Sequence, residues 1–177
     1  MFDEIPARQQ RAVSIHTLEG AFEGRLPTSP HVRTLDELNL VSTRFLTLNY
    51  PKNLTSSWNC AGGPLSVNKS SIIFVRELPP PPPEPASSMD KVARVQVRVR
   101  VRDYEIEGLM DVRSGDEVMK RLGRGEQRFV ALTSALISGP DEEIMTPFVA
   151  VNRDYMTLAE QVTTDDETAM AVTATEA

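Results

Sequence analysis

The chain has 177 residues, of which 19 are Lys or Arg and 25 are Asp or Glu, giving a formal net charge of −6. With 40% hydrophobic and 25% charged residues, it has the composition of a soluble globular protein, and no apolar stretch approaches the ~20 residues of a membrane-spanning helix. The single cysteine, Cys60, excludes an internal disulfide and a cysteine-cluster metal site. Because the acidic N-terminus lacks the basic and apolar regions of a signal peptide, we expect a cytoplasmic protein without a membrane partner.

The first 78 residues predict a small β-rich unit. A hairpin is expected to turn at Glu19 and Gly20, because glycine accepts the positive φ of a tight turn, and this register would place His16 opposite Glu23. A short helix is predicted over residues 34–38. Strands are predicted at residues 44–48, 64–68 and 72–75.

A proline-rich segment follows at residues 78–88, which read Leu-Pro-Pro-Pro-Pro-Pro-Glu-Pro-Ala-Ser-Ser. Consecutive prolines fix φ, remove backbone donors and favour extended polyproline II structure, so this segment is predicted to be a semi-rigid linker. The alternative is a docking site for a proline-binding domain.

The second unit begins with the clearest strand in the sequence. Residues 94–102 alternate Arg or Gln with Val, and residues 105–110 alternate again after an expected turn at Asp103 and Tyr104. The expected facing pairs are Arg102 with Glu105 and Arg100 with Glu107, and Val101 and Ile106 share the buried face. A helix is predicted over residues 114–122, with Ser114 and Glu117 as a capping box. Further strands are predicted at residues 128–132, 148–152 and 155–158.

The two units align without a gap when the first is shifted by 84 positions. Between residues 13–77 and 97–161, nine of 65 positions are identical, including Gly24 with Gly108 and Phe45 with Phe129. Apolar positions also keep their character, as two copies of one fold would show. We therefore predict a tandem repeat, in which each copy has the order β-β-α-β-β-β.

The predicted domains are residues 1–78, a linker at 79–88, residues 89–161 and a tail at 162–177. The tail holds four acidic residues, no basic residue and few apolar groups, so it is predicted to be disordered. The predicted core includes the following residues: Phe45, Leu48, Val67, Phe129, Leu132 and Val151.

Each copy is similar to the SH3-like and Sm-like β-barrels. The carrying motif is apolar-x-Gly-x-apolar in the second strand, at residues 22–26 and 106–110. The Gly-x-apolar, Phe-apolar-x-Leu and Val-Asn-Lys/Arg pieces also resemble a family of small bacterial domains, which implies no established activity. The fold class expected is mainly β (α+β), with two tandem small barrels.

Two groups of residues form the candidate binding surface. The first is an arginine stripe, Arg98, Arg100 and Arg102, which would face an anionic partner unless the acids across the hairpin neutralise it. The second group corresponds in position to the RNA site that the Sm-like resemblance implies, and a simple turn is the alternative role for its asparagines. Its members are Asn68, Lys69, Asn152 and Arg153.

No pattern in the sequence predicts a catalytic residue, a metal site or a cofactor. The predicted function is therefore a non-enzymatic protein-interaction or scaffolding module that binds another protein or a second copy of itself. The alternative is an Sm-like protein that binds nucleic acid, which the net negative charge disfavours.

Overall fold

The computed structural model describes residues 9–29, 31–79, 92–113, 117–125 and 127–162. The predicted linker from residue 80 and the predicted tail from residue 163 lie outside these ranges. The first half, residues 9–79, contains β1 (Gln9–Thr17), β2 (Gly20–Thr28), α1 (Thr34–Asn39), β3 (Phe45–Asn53), β4 (Leu65–Asn68) and β5 (Ile72–Glu77). The second half, residues 92–162, contains β6 (Val92–Val101), β7 (Tyr104–Arg113), α2 (Val118–Arg124), β8 (Phe129–Ser138), β9 (Glu143–Asn152) and β10 (Met156–Gln161). The protein is mainly β, as predicted.

The described strands form one open antiparallel sheet in the order β10-β6-β7-β8-β9-β5-β1-β2-β3-β4. Within each half, the last strand pairs with the first, and the others follow in sequence. The pairing registers also correspond: Val13 faces Gly24, and Val97 faces Gly108. Adding 84 to both residue numbers of each strand pair in the first half gives the register of the matching pair in the second.

Both hairpin turns lie one residue earlier than predicted. The turn in the first half is Leu18–Glu19, and Gly20 already pairs with Thr17 as the first residue of β2. Gly20 has a φ of 120°, and a Cβ there would lie 2.5 Å from the Cα of Ser56. Position 20 therefore requires glycine for two reasons, the positive φ and the close approach of the Ser56 backbone. The sequence analysis had placed this glycine within the turn.

The same shift changes the facing pairs. The second turn is Arg102–Asp103, with Arg102 at a φ of 54°. Arg100 therefore faces Glu105 and Arg98 faces Glu107, whereas the sequence analysis paired Arg102 with Glu105 and Arg100 with Glu107. In the first half, the residue opposite His16 is Ala21 rather than Glu23. The reassignment matters because Arg98 gains a facing carboxylate, whereas Arg102 lies in the turn without a facing residue on β7.

A glycine allows β7 to bend onto β8. Gly108 lies at a register shift between Glu107 and Leu109, and a Cβ there would lie 3.0 Å from the Cβ of Ala135. Gly24 occupies the matching register shift in the first half. The predicted apolar-x-Gly-x-apolar motif thus coincides with a close crossing of neighbouring strands.

Five of the six residues predicted to form the core are buried, but the prediction for Phe45 is wrong. Phe45 is 55% exposed, whereas Phe129, at the corresponding position, is 0% exposed. The reason is the order of the strands. Phe45 lies beside β4, which is an edge of the sheet, whereas β9 beside Phe129 is covered by the first half.

The two helices are short and lie against the sheet. α2 begins at Val118 with Glu117 as its N-cap residue, so Glu117 does not occupy the third helical position that the predicted capping box required. Ser114, its predicted partner, lies outside the described residues. Neither helix in the described ranges has the length and apolar content needed to cross a membrane.

Candidate interaction site

The arginine stripe lies on a face of the sheet where acidic side chains surround it. Arg98 is 3.6 Å from Glu105, 3.5 Å from Glu107 and 3.1 Å from Glu160. Arg100 forms a 3.1 Å ion pair with Glu105, and Arg102 is exposed in the turn. All four of these contacts cross between neighbouring strands, which is the arrangement expected of a solvated sheet face.

Asn68 and Asn152 cap short 3-10 helices. The Oδ1 atom of Asn68 accepts a 3.0 Å hydrogen bond from the backbone N–H of Ser70, and that of Asn152 accepts one of 3.0 Å from Asp154. These are the local turn roles that the sequence analysis gave as the alternative to an RNA site. The two asparagines differ in exposure, since Asn152 is buried and Asn68 is exposed.

Lys69 holds the chain segment that follows α1. Its Nζ donates hydrogen bonds to the carbonyl oxygen of Glu37 at 2.6 Å, to that of Leu40 at 3.1 Å and to the hydroxyl of Thr43 at 2.8 Å. An ammonium group has three protons to donate, so all of them are used. Burial lowers the pKa of Lys69, an effect that Glu37 opposes and Arg128 reinforces.

Arg153 makes the corresponding contacts in the second half. Its guanidinium donates hydrogen bonds to the carbonyl oxygens of Leu122 and Gly125, and to that of Gln127 at 2.9 Å. Unpaired carbonyls at the end of a helix attract cations, so both side chains stabilise a helix-to-strand connection. The structure therefore splits the predicted surface: the arginine stripe lies on β6 and its turn, Lys69 and Arg153 contact the segments at the two helix ends, and Asn68 and Asn152 cap the 3-10 helices that begin with them.

The junction of the halves was missed by the sequence analysis. β5 pairs antiparallel with β9, with Phe74 opposite Val151 and Val75 opposite Ala150. Phe74 and Ile73 belong to the core cluster of the second half, while Phe129 and Ala150 belong to that of the first. Each half thus inserts side chains into the core of the other.

Polar contacts fix the register of this junction. The side-chain amide of Asn39 in α1 forms two hydrogen bonds with the backbone of Phe129. It donates one to the carbonyl oxygen at 2.9 Å and accepts one from the N–H at 2.8 Å. Asn152 donates a 2.7 Å hydrogen bond to the carbonyl of Ile72. The hydroxyl of Tyr155 donates to the carbonyl of Ser70.

A buried histidine also lies at the junction. The imidazole of His16 stacks on Phe74 with ring centroids 4.2 Å apart, and Tyr104 of the second half contacts it edge-on at 5.7 Å. Burial, reinforced by Arg76, lowers the pKa of His16 to about 4. Desolvation is the dominant cause, so the imidazole is neutral at pH 7 and serves as a packing group.

One sequence signal could have located the junction. β5 reads Ile-Ile-Phe-Val without alternation, as expected of a strand buried on both faces, whereas residues 156–159 of β10 read Met-Thr-Leu-Ala. The consequence is visible in the side chains, because Leu158 is 66% exposed while Phe74 at the corresponding position is 0% exposed. Among the described strands, β10 and β4 are the two ends of the sheet.

In the described ranges, no group of three or more His, Cys, Asp or Glu side chains is arranged to hold a metal ion. Comparison with protein-family models, with curated proteins and with solved structures finds no match for this chain.

Proposed function

We propose that the chain is a non-enzymatic protein-interaction or scaffolding module built from two tandem copies of one small SH3-like or Sm-like β-barrel fold. The common strand order and the common registers at an offset of 84 support the two copies. Binding occurs at an open edge of the sheet, because unpaired N–H and C=O groups along an edge strand accept a further strand.

The observation that carries this proposal is the apolar surface beside β4. Phe45 is 55% exposed beside β4, and Leu40 and Val41, in the segment between α1 and β3, are 46% and 92% exposed. Large apolar side chains exposed near a strand edge are typical of an interaction surface. The matching position in the second half, Phe129, is covered by protein, which supports the same use for the surface around Phe45.

The contacts of the basic residues support a protein partner over nucleic acid. Arg98 is held by three carboxylates, and the polar groups of Lys69 and Arg153 are engaged by backbone carbonyls. Binding to phosphates requires several cations that are not already paired. Arg98, Lys69 and Arg153 are already paired within the protein, so they do not provide such cations.

Site-specific photo-crosslinking tests the proposal. A photoreactive phenylalanine analogue is placed at Phe45 in the full chain, and the matched control carries it at Tyr50, which is exposed on the same strand but beyond its pairing with β4. After irradiation in cells, we expect discrete protein adducts from position 45 and few from position 50. Equal labelling at both positions, or adducts only with nucleic acid, would contradict the proposed function.

A further inference from the structure

The two halves join through edges that are not equivalent. The last strand of the first half, β5, pairs with the fourth strand of the second half, β9. The corresponding strands, β10 and β4, are left at the two ends of the sheet. Because this contact joins two different kinds of edge, it leaves one edge of each kind unpaired among the described strands. The molecule therefore ends in the same two kinds of edge that pair at its junction.

We propose that β10 of one molecule pairs with β4 of a second copy, in the register that β5 and β9 adopt within the molecule. This inference rests on the proposed function and names the partner for the open edges. Shifting the observed register by 84 positions gives the contact in residues. Leu158 lies opposite Val67, Ala159 opposite Ser66 and Glu160 opposite Leu65.

The exposed apolar side chains at both edges fit this contact. Within the molecule, Phe129 enters the core between α1 and β5, where Leu38 and Ile72 contact the same cluster. The matching groove between α2 and β10 is lined by Leu122 and Met156 and is open. Phe45 of a second copy fills it as Phe129 fills the first.

Leu158 makes the reciprocal insertion. It corresponds in position to Phe74, whose side chain lies in the core of the second half, and it would enter the core of the first half of the next molecule.

A polar contact is also preserved, because asparagine occupies both corresponding positions, 68 and 152. Asn152 donates to the carbonyl of Ile72, so Asn68 donates to the carbonyl of Met156 in the neighbouring copy. Asn39 has no such counterpart, since Gly123 occupies its position, and the contact between molecules is expected to be weaker than the junction within one.

Repetition of a head-to-tail contact gives a closed ring or an open filament, whereas a symmetric contact gives a dimer. Variants with one blocked edge separate these arrangements. Leu158→Asp blocks β10, Phe45→Asp blocks the β3–β4 edge, and both side chains are already exposed, so each variant is expected to fold. Met145→Asp is the matched control, because Met145 is 71% exposed and lies on β9, away from both edges.

Sedimentation velocity at chain concentrations from about 10 to about 500 µM measures the size of the species that each variant forms. We expect the unmodified chain and Met145→Asp to form the same species larger than a dimer, and each edge variant to be a monomer. An equimolar mixture of the two edge variants should form a 1:1 dimer, because one retains β10 and the other retains β4.

Cross-linking tests the register. In a Cys60→Ser background, Ser66→Cys together with Ala159→Cys should give disulfide-linked oligomers on mild oxidation, since facing residues on antiparallel strands bring their Cα atoms within bonding range. Ser66→Cys with Glu160→Cys is shifted by one residue and should not.

Three results would overturn the inference: an unmodified chain that stays monomeric, an edge variant that still self-associates, or two edge variants that fail to combine. If the chain is monomeric but position 45 still cross-links to a different protein, the interaction function stands and only the identity of the partner is wrong. If position 45 yields no adduct either, both proposals fail.

Discussion

Phe45 and Phe129 occupy corresponding positions in two halves with the same strand order, and their environments are opposite. Phe129 is fully buried among side chains of the first half, and Asn39 binds its backbone on both sides. Phe45 lies beside the open strand β4 with more than half of its side chain exposed. The difference shows that sequence similarity between the halves does not determine burial at these positions. What decides it is whether the neighbouring edge is occupied.

The same lesson holds for the last strands. Phe74 lies at the junction and stacks on His16, while Leu158 lies at the outer edge. Where the edge is occupied, residues 72–75 are apolar on both faces of the strand. Where it is open, Thr157 stands at the position of Ile73 and keeps one face of the strand partly polar. Polar groups on an edge strand limit indiscriminate pairing, which favours a specific partner over aggregation.

The largest expected effect is the difference between the two phenylalanines. Phe129→Ala removes a fully buried ring and should lower the free energy of unfolding by ~3–5 kcal/mol. Phe45→Ala should cost about 1 kcal/mol, because over half of the ring is already exposed. Urea unfolding of both variants, at a chain concentration where the protein is monomeric, measures the difference. Equal losses would mean that Phe45 is covered in the monomer.

A second comparison concerns a buried polar group present only in the first half. Glu77 accepts a hydrogen bond from Thr34 and lies 3.4 Å from Arg11, with both members of the ion pair buried. The corresponding residues of the second half are Val95, Val118 and Gln161. Glu77→Ala should lower the free energy of unfolding by ~3–5 kcal/mol, because it leaves the Arg11 charge buried without its partner.

The apolar replacement is the control for that experiment. Arg11→Met, Thr34→Val and Glu77→Leu together remove the charges and keep the volume, so stability should be equal to or greater than that of the original chain. Denaturant unfolding compares the two variants directly. If the triple variant is as unstable as Glu77→Ala, the ion pair contributes net stability.

The junction should also weaken in acid. The pKa of His16 is about 4 in the folded chain and 6.5 without burial, so the unfolded chain binds the proton first as the pH falls. This contribution to stability is complete above pH 6.5 and is lost between pH 6.5 and pH 4, by about 3 kcal/mol in total. The free energy of unfolding measured across this range for the original chain and for His16→Leu tests it. The variant should lose less stability over the interval, and parallel curves would show that His16 is not the group responsible.

Sequence periodicity was enough to predict five strands and one short helix in each half and their order, because alternation and short apolar stripes are local signals. The strand lengths were underestimated, since β8 continues to Ser138 and β9 begins at Glu143 in what was predicted to be a loop. The facing pairs of the hairpins were wrong by one residue, since the rule that places glycine in the turn ignored the close contact of Gly20 with Ser56. Lys69 and Arg153 were identified as notable residues, but only the fold shows that their polar atoms contact helix-end carbonyls. The junction could not be predicted from the repeat alone, because pairing of β5 with β9 breaks the equivalence of the halves.

The smallest expected effect concerns the arginine stripe. Phosphate binding needs unpaired cations, and Arg98 already contacts Glu105, Glu107 and Glu160. We therefore expect micromolar protein at ~100 mM salt not to shift the electrophoretic mobility of RNA or DNA, and no change when Arg98, Arg100 and Arg102 are replaced together by alanine.

The matched variant replaces the three glutamates by glutamine, which keeps their shape and frees the arginines. It should bind weakly, and the binding should fall steeply as salt is added, because released counterions drive such contacts. Tight binding by the unmodified chain that the triple alanine variant abolishes would instead make the stripe a nucleic-acid surface and favour the Sm-like alternative.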